Sequence, residues 1–163
     1  MRGASTLGAD VNGAIRKLNE RRTEPPGRTM RHVVAALILR QGESGREVLV
    51  CQRRPDQPMS LKWEFPGGKV EAGETAEAAL ARELNEELGI TASIGQRITT
   101  VYHTYRNGRA IEIQFFRVIE FTGELENRIF HDMRWSSLEK LPGFDFLAAD
   151  LTLIRDLAAG KLL

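Results

Sequence analysis

Past Met30 the apolar residues fall into two rhythms, one suited to strands and one to a helix. HVVAALIL and EVLVCQRR are short runs rich in β-branched residues, separated by the glycine-containing QGESGR, and they predict paired strands. Trp63 to Val70 carries Pro66-Gly67-Gly68, a loop in which the backbone can approach a ligand closely. Then the rhythm changes. Ala76, Leu80, Leu84 and Leu88 recur every four residues with Ala79 beside them, the stripe of a helix that faces a core. Thr75 can cap its start, Glu77 suits its first turn, and Gly89 is placed to end it. Further on, ITTVYHTY and AIEIQFFRVIEF flank Arg106-Asn107-Gly108-Arg109, whose Asn-Gly pair signals a hairpin. MRWSSL reads as a short strand or loop. Ala148 to Leu162, with Leu153, Ile154, Leu157 and Ala158, reads as an amphipathic C-terminal helix. Strands surrounding two helices give an α+β class, with a helix on each side of a mixed sheet.

Residues 1–29 differ. They are polar, rich in Gly and Arg, and end in a Pro-Pro-Gly breaker, which suggests a mobile extension with a short helix around Ala14 to Arg21. The division expected is therefore an extension over 1–29 and one domain over 30–163, with Met30 a candidate start for that domain.

Composition narrows the classes. With 23 basic and 22 acidic residues and a net charge of +1, neither a nucleic-acid-coating surface nor an acidic tail follows, though a local basic pocket remains open. No stable nucleic-acid binding is expected. The lone Cys51 excludes an intramolecular disulfide and a Cys-based zinc site, and its place in VLVC suggests a buried strand thiol. No apolar stretch is long enough to span a membrane and no signal-peptide core is present, so a cytoplasmic setting is expected.

One constellation carries chemistry. On a helix, Glu83, Glu86 and Glu87 share one face within a turn, crowding like charges near a C-terminus where the macrodipole disfavours anions. They lie off the apolar stripe. The arrangement calls for a compensating cation, and a divalent metal is the candidate; the alternative is a solvated helix face.

From Gly68 the residues resemble the Nudix box, Gly-x5-Glu-x7-Arg-Glu-U-x-Glu-Glu-x-Gly-U, with Gly68, Glu74, Arg82, Glu83, Leu84, Glu86, Glu87, Gly89 and Ile90 in place and no departures. The wider WEFPGGKVEAGE is similar to the MutT-type branch. The resemblance runs from about Arg31 to the C-terminus. It implies an α/β/α sandwich around a mixed sheet and hydrolysis of a nucleoside diphosphate linked to another moiety. It also implies that Glu83, Glu86 and Glu87, with the Gly68 carbonyl, bind Mg²⁺ or Mn²⁺, that Arg82 orients the carboxylates, and that Glu74 braces Arg82. Hard oxygen ligands suit Mg²⁺. For the MutT-type branch the expected reaction is water attack at the β-phosphorus of a (deoxy)nucleoside triphosphate, giving nucleoside monophosphate and pyrophosphate. Oxidised or cytidine-type nucleotides are among the candidates, and cleansing of the nucleotide pool is a candidate role.

Outside the box the same resemblance implies substrate roles for Arg54 and Arg109, each with a plain surface position as its alternative. Phe65 lines a base pocket or packs under the loop, and Lys69 lies near the phosphates. Asp150 matches a base-reading position at the start of the last helix, or simply caps that helix. Ionised Asp only accepts hydrogen bonds and would favour cytosine or adenine, whereas protonated Asp can donate to an oxidised guanine. The family often carries a further glutamate before the tryptophan matching Trp135; here Ile129 stands there, leaving Glu83 as the default base by analogy. His32, His103 and His131 carry no motif. Competing expectations are a hydrolase of ADP-ribose or dinucleoside polyphosphates, for which only Tyr105 speaks, and a non-catalytic nucleotide sensor, against which the intact box speaks. The sequence carries no reading of oligomeric state.

Overall fold

Strand β1 (Arg31–Gly42) organises the computed structural model, which describes residues 30–163. The expected extension and its short helix lie outside the described residues. Val34 to Leu39 are all buried, an unbroken apolar run of the kind a strand covered on both faces requires. The first part of β1 pairs in parallel with β7 (Ala110–Val118) and, through Val33, Val34 and Ala35, antiparallel with β4 (Gly67–Lys69). Its end turns back into β2 (Gly45–Gln52), the hairpin foreseen from QGESGR. β2 carries β3 (Trp63–Glu64) along one edge and β9 (Asp132–Ser137) along the other. MRWSSL is therefore strand.

β6 (Arg97–Thr104) completes the sheet beside β7, giving the order β3-β2-β1-β7-β6, and β5 (Thr91–Ser93) forms a small separate ribbon with β8 (Glu120–Thr122). The β6–β7 hairpin closes where the Asn-Gly pair stands: Gly108 N–H donates to the Tyr105 carbonyl at 2.9 Å, and Tyr105 N–H to that of Arg109 at 2.8 Å.

Two cores result. Val34, Ala36 and Ile38 face α1 (Ala76–Leu88) and meet its Ala79, Leu80, Leu84 and Leu88. Ala35, Leu37 and Leu39 face the other way, towards α2 (Leu151–Ala158) and its Leu153, Ile154 and Leu157. Helices on both faces of a mixed sheet make the α/β/α sandwich. Cys51 is fully buried in the α1 core, where burial pushes its thiol well above the ordinary range.

α1 begins and ends on its expected signals. Thr75 Oγ1 accepts from Ala78 N–H at 3.1 Å, and Gly89, at φ 69°, closes the helix in the left-handed conformation. Two expectations need correcting. The C-terminal helix does not run from Ala148 to Leu162: Ala148–Asp150 form a 3₁₀ turn, and the helix stops at Ala158. Gly160, at φ 69°, reverses the chain there, with Lys161 N–H donating to the Asp156 carbonyl at 3.0 Å. Nor are all three glutamates of α1 off the buried face, since Glu87 is only 8% exposed. No helix among the described residues is long and apolar enough to cross a membrane.

Candidate active site

The site joins the two sides of the sheet. On one, α1 sets Arg82, Glu83, Glu86 and Glu87 near the β4 backbone. From there a cavity of about 390 Å³, lined by Gly67, Gly68 and Glu87, extends to Asp150.

Arg82 is the hub of the first end. Its Nε and Nη2 grip the two Glu74 oxygens at 2.8 and 3.2 Å, a bidentate pair. Nη1 reaches Glu83 Oε1 at 2.9 Å and Glu86 Oε2 at 3.5 Å, and Nη2 also donates to the Lys69 carbonyl at 3.1 Å. This ties the loop before the helix, the helix and β4 together. The Arg82 guanidinium holds the Glu74 carboxyl below the usual range, and the same bonds push Arg82 further up.

Glu87 points inward, accepting from Gly67 N–H at 3.3 Å. Burial, then the charge of neighbouring Glu83, pushes its carboxyl up to about 9, against the opposing pull of the Gly67 N–H. Without a cation beside it, Glu87 is therefore neutral at pH 7. Close approach to this pair is built into the glycines. A Cβ on Gly68 would overlap the Glu83 carboxylate, and one on Gly67 would overlap the Val34 carbonyl across the β1–β4 pairing.

Among the described residues, no three His, Cys, Asp or Glu side chains converge as a metal-holding group. Glu83 and Glu87 are neighbours, while Glu86 is exposed beside Arg82. The chemistry of the donors nonetheless suits a hard divalent cation: three carboxylates from the last two turns of α1, one of them buried, stand near the backbone of Gly68 in β4. Arg82 engages one oxygen of each of two of these carboxylates, Glu83 Oε1 and Glu86 Oε2.

The cavity has apolar walls from Phe65, Ile111, Ile113, Phe115 and Ile129. Phe65 packs edge-on against Phe115, with ring centroids 6.1 Å apart, and lies 5.4 Å from Phe146, so it both lines the cavity and packs beneath the loop. Asp150 is 3% exposed at the cavity floor. It stands at the N-cap position of α2 with a helical backbone, but its side chain makes no capping bond. Burial, then the charge of Glu64, pushes Asp150 up to about 7.

The arginines divide between the cavity and its surroundings. Arg54 lies outside the cavity, bonded to Asp56 Oδ1 at 3.0 Å and the Ile129 carbonyl at 3.2 Å. Its neighbour Arg53 lines the cavity instead, bridging Glu64 at 3.0 Å and the Pro58 carbonyl at 2.8 Å. Arg109 is exposed at the hairpin and also lies outside the lining, whereas Arg31 and Lys69 belong to it. Sequence reasoning passed over Arg31, Arg53 and Glu64. Glu64 had a signal, a charge between Trp63 and Phe65 in a segment otherwise built for burial; burial raises its carboxyl against the pull of Arg53.

Residues 30–157 match the NUDIX domain family. A CTP pyrophosphohydrolase of Escherichia coli is 36% identical over 125 residues, covering 77% of this chain and 89% of that protein. An 8-oxo-dGTP diphosphatase of Haemophilus influenzae is 39% identical over 127 residues, covering 76% and 89%. Among solved structures, that of the E. coli ORF135 protein superposes with a TM-score of 0.71 at 35% identity, covering 81% of this chain and 91% of the other.

Proposed function

The chain belongs to the NUDIX domain family, and from that premise we propose that it is a metal-dependent hydrolase of (deoxy)nucleoside triphosphates, releasing nucleoside monophosphate and pyrophosphate. The observation that carries this reading is the buried Glu87 beside Glu83, set at the mouth of a cavity whose other end is the buried Asp150. One end suits a cation and a phosphate chain; the other suits a base.

In this reading Glu83, Glu86, Glu87 and the Gly68 carbonyl hold Mg²⁺ or Mn²⁺. When bound, the ion neutralises phosphate charge and lowers the pKa of the attacking water. Glu83 takes the water's proton as that oxygen attacks the β-phosphorus. The bond from the β-phosphorus to the bridging oxygen breaks, so the water's oxygen leaves in pyrophosphate. Arg82 and Glu74 keep the helix and the preceding loop aligned. Lys69 and Arg53 supply positive charge along the cavity, Phe65 gives an apolar wall for a base, and Asp150 meets its polar edge. Arg54 and Arg109 are left to supporting positions. Relatives named for CTP and for 8-oxo-dGTP frame the substrate choice for this chain.

The test is a panel of common, oxidised and cytidine nucleotides with Mg²⁺, run in ¹⁸O-water. Pyrophosphate carrying the label is the expected product. Orthophosphate as first product, or label in the monophosphate, would overturn the mechanism. ADP-ribose and a dinucleoside polyphosphate belong in the same panel, since faster turnover of either would replace the triphosphate reading. Gly68→Ala should lower kcat roughly 10²-fold while the chain stays folded by circular dichroism, because the added methyl displaces the Glu83 carboxylate.

A further inference from the structure

α1 ends without a basic residue in its last turn, although Glu83, Glu86 and Glu87 crowd that end. The positive charge arrives from far along the chain. Arg128 Nη1 donates to the Asn85 carbonyl at 3.2 Å, and its Nη2 would stand 2.7 Å from a Cβ on Gly89. The guanidinium thus lies against the glycine that ends the helix, where a side chain would have to displace it. Around it the backbone completes the clamp: Arg128 N–H donates to the Glu87 carbonyl at 3.1 Å and Glu126 N–H to that of Leu88 at 2.9 Å. The Glu87 and Leu88 carbonyls, which a helix end ordinarily leaves to water, are therefore bonded to one remote segment, and Arg128 adds a second donor to the Asn85 carbonyl that Gly89 N–H already bonds.

That segment is itself fixed. Glu126 holds Arg128 Nε at 3.0 Å, and Asn127 exchanges bonds with both the N–H and the carbonyl of Phe130, at 2.8 and 2.9 Å. Its next residue, Ile129, lines the cavity, and the Ile129 carbonyl accepts from Arg54. A cavity wall and the last turn of α1 are thus parts of one bonded unit.

We infer that Arg128 is a positioning residue for the metal-binding carboxylates of α1. It fixes the backbone from which Glu86 and Glu87 project, and it offsets the negative end of the helix where those anions stand. The inference rests on reading those carboxylates as metal ligands. A guanidinium suits the place because it reaches Glu126 and Asn85 at once; an ammonium group does not offer that fork.

The experiment measures Mn²⁺ affinity of the nucleotide-free full chain by calorimetry, beside melting temperature and the Mg²⁺ dependence of pyrophosphate release. Arg128→Ala should weaken Mn²⁺ binding about 10-fold and raise the Mg²⁺ requirement to match. Arg128→Lys should recover part of the loss. Arg155→Ala, on the exposed side of α2, should leave both unchanged. If Arg128→Ala does not fold, Arg128→Gln, which retains one donor group, should show a smaller loss in the same direction. A lower melting temperature with unchanged Mn²⁺ affinity would make Arg128 merely structural and overturn the inference. Wild-type chain that binds Mn²⁺ and hydrolyses triphosphates, with variants that do so equally, overturns the clamp alone. Wild-type chain that binds no Mn²⁺ overturns the hydrolase reading and the clamp with it.

Discussion

Glu87→Gln should inactivate the protein and, without metal, make it more stable. The loss of turnover should be at least on the order of 10²–10⁴-fold, the range carried by positioned catalytic groups. The gain in stability follows from burial. Folded and unfolded chains both hold the Glu87 proton below about pH 4. Between there and about pH 9 the folded state keeps a proton that the unfolded state has lost, so stability falls as pH rises through that window. At pH 7 this amounts to roughly 3 kcal/mol for the metal-free protein. Glutamine removes the term, and with it the pH slope. Melting temperature in EDTA at pH 7 should therefore rise by roughly 5–10 °C in the variant. Mg²⁺ should reverse the order, since only the carboxylate gains from the ion. A variant with wild-type turnover, or one less stable than wild type in EDTA, would refute this account of Glu87.

Asp150→Asn makes the second large prediction. The folded Asp150 carboxyl titrates near 7 against about 4 in the unfolded chain, so ionising it at pH 8 costs roughly 4 kcal/mol. Stability should fall between about pH 4 and 7 and level off above. The asparagine variant should lack that slope, matching wild type near pH 4 and exceeding it at pH 8 in denaturant titrations. Substrate ranking should move as well. Ionised Asp150 only accepts, whereas asparagine, like the protonated acid, can also donate to an oxygen of an oxidised guanine. Wild type should thus lose relative activity towards 8-oxoguanine nucleotides as pH rises through 7, and the variant should not. An unchanged ranking in Asp150→Asn would remove Asp150 from base recognition.

What the chain spells locally, it spells clearly. The Thr75 cap, the leucine stripe and Gly89 delimit α1 because each signal acts within a turn of the residue that carries it. The hairpin at Asn107-Gly108 is of the same kind. Glu87 shows where such reading stops. Helical spacing puts it on a face with Glu83, but its burial depends on Gly67, held against β1 by pairing between residues more than thirty positions apart. Arg53 and Arg54 show the same limit. β2 ends at Gln52, so no alternation remains to say which arginine turns to the cavity. At the C-terminus the amphipathic pattern continues to Leu162, and Leu162 does rest on the core, but it reaches it after the reversal at Gly160. Arg128 could not be found from α1 at all, since nothing within the helix announces a guanidinium 43 positions from the carbonyl it meets.

The two-sided burial of β1 has a consequence for how such a protein diversifies. Its even-numbered side chains Val34, Ala36 and Ile38 support the α1 core, and its odd-numbered Ala35, Leu37 and Leu39 support the α2 core, which contributes Phe65, Ile113 and Phe115 to the cavity. Substitutions in the α2 core reach α1 through that shared strand and through the segment around Arg128, whose neighbour Ile129 lines the cavity. Drift in the apolar side chains on one side of this strand can therefore reshape the cavity while the packing of α1 is kept.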